Sequence, residues 1–329
     1  MMAVLRRFAA AARGTYDGAM RVRSRIILPG LLVLLALLPA ACGKDASGGT
    51  ATTTAPATGP ATPRIVSTVP AATLNLVLIG GDKTLVGVSS YDQLFLPESE
   101  RNLPVVGDYE QTNYEELVKL RPTVMIIQQE ESRQSPRLKQ FVRDHHIELL
   151  NMKFDHVSDI WSSVRLLGQA SGRQAEAERA IAQARRELAD LAVDYKDVPR
   201  PRVLFIMDPA SNLACGNHTF VEEMIALAGG ENAPVGDGFV TLSRETMVKL
   251  SPDVLLIGAP DTIPEMADDP RLAPWMSLPV PAVRNRRVFL VTDGNSQMPS
   301  VNIGKNVRAL ADLIHRQAPP AATGGEATQ

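Results

Sequence analysis

Glu115-Glu-Leu-Val-Lys-Leu-Arg-Pro-Thr-Val-Met-Ile-Ile127 and Glu245-Thr-Met-Val-Lys-Leu-Ser-Pro-Asp-Val-Leu-Leu-Ile257 share seven of thirteen residues at an offset of 130. Each copy reads as a short helix, a proline-led turn and a buried strand. The apolar residues of the first half recur at helical spacing, and Pro122 and Pro252 stop the helix. The last four residues are a continuous apolar run of the kind that enters a parallel sheet. A block repeated once per half of a chain implies two related α/β lobes. The crevice between two such lobes is a usual place for a small ligand.

Outward from the repeat, β-rich runs occur at 64–68, 85–89, 124–127, 147–152, 202–207, 254–257 and 288–291. Helical patterns alternate with them at 71–79, 113–120, 135–145, 219–228, 243–250 and 301–316. Strands alternating with helices predict βαβ units and mostly parallel sheets. Residues 157–195 carry no strand signal. They are charged and alanine-rich, broken near Gly172, and predict a helix followed by a longer one from about Gln174. The expected fold class is α/β: two Rossmann-like α/β lobes bridged by a single long helix, with a ligand cleft between the lobes. The expected divisions are a first lobe at 64–155, a helical segment at 156–198 and a second lobe at 199–317.

The ends read differently. Arg21, Arg23 and Arg25 precede a 16-residue apolar run, 26–41, that contains Pro29 and Gly30. That is the pattern of a signal peptide over residues 1–41, and it is short for a spanning helix, which needs about 20 apolar residues. Met20, just before the basic cluster, is a candidate start. Residues 42–63 are almost wholly Gly, Ala, Ser, Thr and Pro, the composition of a flexible tether. Residues 318–329 form a similar tail. The segment 1–41 holds six Arg and one Asp, so its removal takes +5 from a chain of net charge −2 and leaves −7. A mildly acidic chain is not a nucleic-acid binder led by charge. The two cysteines exclude a multi-bridge disulfide framework and a four-cysteine zinc site.

No catalytic constellation is legible, and the expectation is a protein that is not an enzyme. Gly81-Asp82-Lys83-Thr84 ends like a phosphate loop without its glycine frame. Gly87-Val-Ser-Ser-Tyr91 lacks the second glycine of a nucleophile elbow. The five histidines show no metal-ligand spacing, so no bare-metal site and no resident cofactor is expected. Asn113 and Ser243 stand as caps ahead of the repeated helices. Glu115 and Glu245 therefore fall in the first helical turn of each copy. A carboxylate there offsets the helix dipole by about 0.3–1 kcal/mol. It is also one exposed acid per lobe, placed to meet two basic sockets on a partner.

Several stretches in order resemble the substrate-binding proteins of ABC importers for iron chelates and cobalamin. They are Arg64-Ile-Val-Ser-Thr-Val-Pro-Ala-Ala-Thr73, Leu85-Val-Gly-Val-Ser-Ser-Tyr91, Leu103-Pro-Val-Val-Gly-Asp108, both repeat blocks, Ala228-Gly-Gly-Glu-Asn232 and residues 278–291. Leu38-Pro39-Ala40-Ala41-Cys42-Gly43 likewise resembles a bacterial lipobox, with Pro39 where leucine is usual. The resemblance implies a lipoprotein acylated on Cys42, exported, membrane-anchored and monomeric. Its partners would be an ABC permease and its ATPase subunits. It places permease docking on Glu115 and Glu245, and it implies lobes that move little. Thr73 is followed by Leu74 where the family often has glutamate.

For the ligand, the resemblance places Tyr91, Tyr109 and Phe239 at the cleft, where cobalamin-binding members carry aromatics. Gln129 and Asn295 stand where some members have tryptophan. The cleft lacks an evident arginine cluster, which favours a corrinoid or a neutral chelate over an anionic iron chelate. Haem stays open, with Tyr91 or His218 as the iron ligand. A sensor or scavenger that holds ligand without a transporter also stays open.

Overall fold

The computed structural model describes residues 62–107, 111–210, 212–233, 236–259 and 269–316. The expected signal peptide, Cys42, most of the tether and the tail 318–329 lie outside the described residues, as does Tyr109.

In the first lobe, β1 (Ile65–Ser67) leads through α1 (Pro70–Leu78) to β2 (Leu85–Val88). Helix α2 (Tyr114–Leu120) leads to β3 (Val124–Ile127), and α3 (Pro136–Asp144) leads to β4 (Glu148–Asn151). The sheet is all parallel in the order β2-β1-β3-β4. Its core joins Val66, Met125 and Ile127 of the strands to Leu117, Leu138 and Val142 of the helices. All four residues of β3 are buried, which is why the sequence there is continuously apolar rather than alternating.

Two antiparallel helices follow, α4 (Val157–Ser171) and α5 (Gln174–Asp194). Gly172, at φ 71°, takes the left-handed turn between them. The second lobe contains β5 (Arg202–Asp208), β6 (Leu213–Cys215), α6 (Phe220–Leu227), β7 (Glu231–Asn232), β8 (Phe239–Thr241), α7 (Arg244–Leu250), β9 (Val254–Gly258), α8 (Pro281–Arg284), β10 (Val288–Val291) and α9 (Ile303–Ile314). Its sheet runs β10-β9-β5-β6-β8, with β7 beside β5. Its pairings β10–β9, β9–β5 and β5–β7 are parallel, so pairing is mostly parallel as expected, with one exception. Strand β6 runs antiparallel to both β5 and β8. These two strands are three residues each, too short to leave a periodic signal.

The repeat survives in three dimensions. Asn113 accepts from the Glu116 N–H and Ser243 from the Thr246 N–H, so both residues cap their helices. Both helices end on a left-handed residue, Arg121 at φ 45° and Ser251 at φ 48°, directly before the prolines. Helix α5, about 30 Å long by its 21 residues, packs on α4 and on α6 and α9 of the second lobe. Gly304 makes room for this: a Cβ there would run into Glu187 of α5.

One side chain joins the lobes directly. Asn75 of α1 is fully buried. Its amide nitrogen donates to the carbonyls of Ala71 at 2.7 Å and Pro299 at 3.0 Å, and its oxygen accepts from the Val301 N–H at 3.0 Å. Truncation would strand two buried backbone groups of the second lobe. Asn75→Ala should cost about 2–3 kcal/mol in urea unfolding; a loss below about 0.5 kcal/mol would show that water or repacking replaces the clamp.

Candidate functional site

Residues of both lobes line a common cavity of about 280 Å3. From the first lobe come Val69, Pro70 and Ala71 of the β1–α1 turn, Gln128 after β3, and Phe154 and Asp155 after β4. From the second come His218, Thr219 and Phe220 at the start of α6, Gly238 and Phe239 entering β8, and Met298 and Pro299 before α9. The first-lobe residues lie beyond the carboxyl ends of β1, β3 and β4, where open α/β sheets bind ligands. Asn75 lies next to the cavity, because its partner Pro299 is part of the lining.

The second-lobe wall depends on a close backbone crossing. The Gly216 N–H donates to Gly238 O at 2.8 Å and the Asn217 N–H to Gly236 O at 2.7 Å. A Cβ on Gly216 would collide with both of those carbonyls, so glycine is required there. The crossing leaves His218 in left-handed backbone at φ 60°. That is a costly conformation for a residue with a side chain, and such strain gathers at binding sites. The His218 N–H donates to Glu222 at 2.6 Å, and its ring lies 3.6 Å from Asp237.

The electrostatics are balanced rather than one-signed. Helix α1 begins at the cavity with no side-chain cap and no acid in its first turn, so its end presents uncompensated N–H groups. Helix α6 begins there too, but Thr219 caps it and Glu222 and Glu223 sit in its first turn. Glu223 reaches away to accept from Val157 N–H and to meet His156 Nδ1, both at 2.9 Å. Asp155 is the one carboxylate in the lining, and no lysine or arginine lines the cavity among the described residues.

Behind the first-lobe wall, Asp92 is fully buried. It accepts from Ser67 Oγ at 3.5 Å, from the Ser89 N–H at 3.2 Å, and from the Thr73 and Ser89 hydroxyls. Burial outweighs these donors and raises its carboxyl from 3.8 to about 6. Cys215 is a free, buried cysteine; burial pushes its thiol up to about 12, and it contacts Thr219 Oγ1 at 3.0 Å. That thiol is unreactive at neutral pH.

Of the residues singled out from sequence, His218 and Phe239 line the cavity. Gln129 does not; its backbone is held by Asn151, at 3.0 Å and 2.7 Å, and its neighbour Gln128 faces the cavity instead. Tyr91 is half exposed at the end of β2, outside the cavity lining. Asn295 falls in the turn Gly294–Gln297, next to the lining residue Met298. Phe154, Phe220 and Asp155 were missed. Phe154 lies in the β4–α4 connection and Phe220 opens α6, positions where an aromatic reads as core. Glu115 and Glu245 are both exposed. Glu245 pairs with Lys249 at 2.7 Å, whereas Lys119 pairs with Glu116 at 3.1 Å.

Fold and site together define a two-lobed α/β protein with a cavity in the seam between its lobes. The chain belongs to the periplasmic binding protein family, whose model matches residues 65–293. It is 25% identical over 259 residues to YvrC of Bacillus subtilis, an uncharacterized ABC transporter substrate-binding lipoprotein, covering 77% of this chain and 80% of that one. It is 28% identical over 219 residues to the high-affinity heme uptake system protein IsdE of Staphylococcus aureus, covering 62% and 70%. Among solved structures it is similar to the periplasmic vitamin B12 binding protein BtuF of Vibrio cholerae, with a TM-score of 0.64 at 20% identity, covering 76% of this chain and 96% of that one. Among the described residues no helix is long and apolar enough to cross a membrane.

Asp92 gives a signed pH prediction. Its folded value lies above the unfolded 3.8, so its contribution to stability is present in acid and is lost as pH rises through about 6. Asp92→Asn cannot ionise. The stability of wild type relative to this variant should fall by about 2–3 kcal/mol between pH 4 and pH 7. Parallel curves in urea titrations across that range would contradict the assignment.

Proposed function

We propose that the protein is the substrate-binding receptor of an ABC importer, exported and anchored by acylation of Cys42, that captures a metal chelate between its lobes and delivers it to a membrane permease. The single observation that carries the ligand class is the mixed polarity of the cavity. Phe154, Phe220 and Phe239 offer apolar faces to a broad ring or chelate. The uncapped start of α1 suits carbonyl oxygens, and Asp155 and Gln128 suit N–H groups. A corrinoid, a neutral metal chelate rich in carboxamides, presents both. Ligands with several free carboxylates or catecholates meet Asp155 with no lysine or arginine in the lining to offset it. A ferric siderophore without net negative charge fits the same reading.

Haem is the second reading. It is favoured by the relation to IsdE, and by His218, held at the cavity by a strained backbone beside Asp237. A thermal-shift panel of cyanocobalamin, dicyanocobinamide, haemin and ferrioxamine B separates the two. At about 100 times its dissociation constant, a true ligand stabilises by about 2.7 kcal/mol. The account expects a shift with a corrinoid or with ferrioxamine B. A shift with haemin alone, abolished by His218→Ala, would replace the corrinoid reading by the haem one.

Delivery is assigned to Glu115 and Glu245, one exposed carboxylate on each lobe in equivalent positions of the repeat. The reading takes the receptor to act as a monomer and ATP hydrolysis to be supplied by separate subunits. Glu115→Ala combined with Glu245→Ala should weaken binding to permease-containing vesicles by about 10-fold or more, leaving chelate affinity within about 2-fold. Loss of chelate affinity with docking intact would reverse the assignment. Radiolabelled palmitate should mark the protein and not its Cys42→Ala variant.

A further inference from the structure

We propose that Asp92 is the positioning residue of the ligand cavity: its carboxylate pins the β1–α1 turn that forms the first-lobe wall and holds the turn bearing Tyr91 beside it. The inference rests on the cavity being the ligand seat. Asp92 stands where three elements meet. Ser67 ends β1, Thr73 lies in α1, and Ser89 follows β2; all three donate to the carboxylate. Ser67 Oγ, in turn, accepts from the Val69 N–H at 3.3 Å and lies 2.8 Å from Thr73 Oγ1. The wall residues Val69, Pro70 and Ala71 are therefore suspended between two points of one hydrogen-bonded network. Tyr91 is the covalent neighbour of the network's centre, and the Asp92 N–H closes that turn onto Ser89 O at 3.2 Å.

The arrangement is expensive as mere packing. A carboxylate buried among hydroxyls, with no charged side chain contributing to its titration, costs more than an apolar residue of similar volume. What it supplies is geometry. Two oxygens hold four donors from three chain segments, which an apolar group cannot do. Negative charge tied to Thr73 also lies against the first turns of α1, the helix that lacks a side-chain cap at the cavity. A wall held in this way keeps the free N–H groups of α1 aimed at the ligand instead of fraying.

The test uses the mature protein with cyanocobalamin as probe, comparing Asp92→Ala, Asp92→Asn and Val142→Ala. The last is a destabilising control in α3 of the same lobe, away from the cavity. Asp92→Ala should weaken binding about 10-fold or more, while Asp92→Asn and Val142→Ala stay within about 3-fold. Amide hydrogen exchange in Asp92→Ala should accelerate at residues 68–73 and 89–92 and not across the rest of the lobe. Equal weakening by Val142→Ala, unchanged affinity in Asp92→Ala, or acceleration spread evenly over the lobe would overturn the proposal. If Asp92→Ala does not fold, Thr73→Val removes one donor and carries the same local exchange expectation. If wild type binds no chelate of the panel, the corrinoid reading fails by itself, and the exchange pattern still decides the role of Asp92.

Discussion

The geometry of the cavity depends on the buried amide of Asn75. It belongs to α1 of the first lobe but spends one donor and its acceptor on Pro299 and Val301 of the second. Both of those groups are backbone, so the clamp grips the chain itself and not a side chain that could swing away. Pro299 is also part of the cavity lining. The spacing of the two walls is thus set within one residue of where a ligand would rest. Helix α5 bridges the lobes at a distance, and Glu223 ties α6 to the start of α4. With three separate connections, the seam is pre-formed, and ligand binding need not supply the free energy of closing it.

Around that fixed seam, the sequence places its polar groups in a consistent way. Helix starts from both lobes reach the cavity, but only α1 arrives uncapped. The acids at the start of α6 are consumed by the His218 N–H and by the α4 cap. Among the described residues, the lining then offers one set of N–H donors, one carboxylate, one side-chain amide, the His218 imidazole and three phenyl rings. On the proposed reading, such a lining favours a large neutral ligand with alternating donors and acceptors over a polyanion.

Much of the architecture was legible because the repeated block combines three independent signals: a capped helix, a proline stop and a fully apolar strand. Buried parallel strands such as β3 and β9 announce themselves by composition, and α4 and α5 by length and by Gly172. Strands β6 and β8 were not legible. Three residues cannot show a period, and their pairing is organised by Gly216, Gly236 and Gly238, which read only as a loop. The site was legible in part for a related reason. His218 and Phe239 sit in that loop and stood out as chemistry-bearing residues. Phe154 and Phe220 adjoin helices, where sequence favours a core role. Gln128 and Gln129 are adjacent, and only the hydrogen bonds of Asn151 decide which of them turns inward. Asp92 carried no signal at all, because its partners come from β1, α1 and β2, up to 25 residues away.

The most direct measurement of the central claim is the position of the metal. Crystals of the mature protein grown with cyanocobalamin or ferrioxamine B would yield an anomalous peak at the cobalt or iron edge. The account predicts a single strong peak in the seam, between Phe154 of the first lobe and Phe220 of the second, with the Asn75 clamp unchanged. A peak on the outer face of either lobe, or in a seam whose Asn75–Pro299 bond has opened, would contradict it.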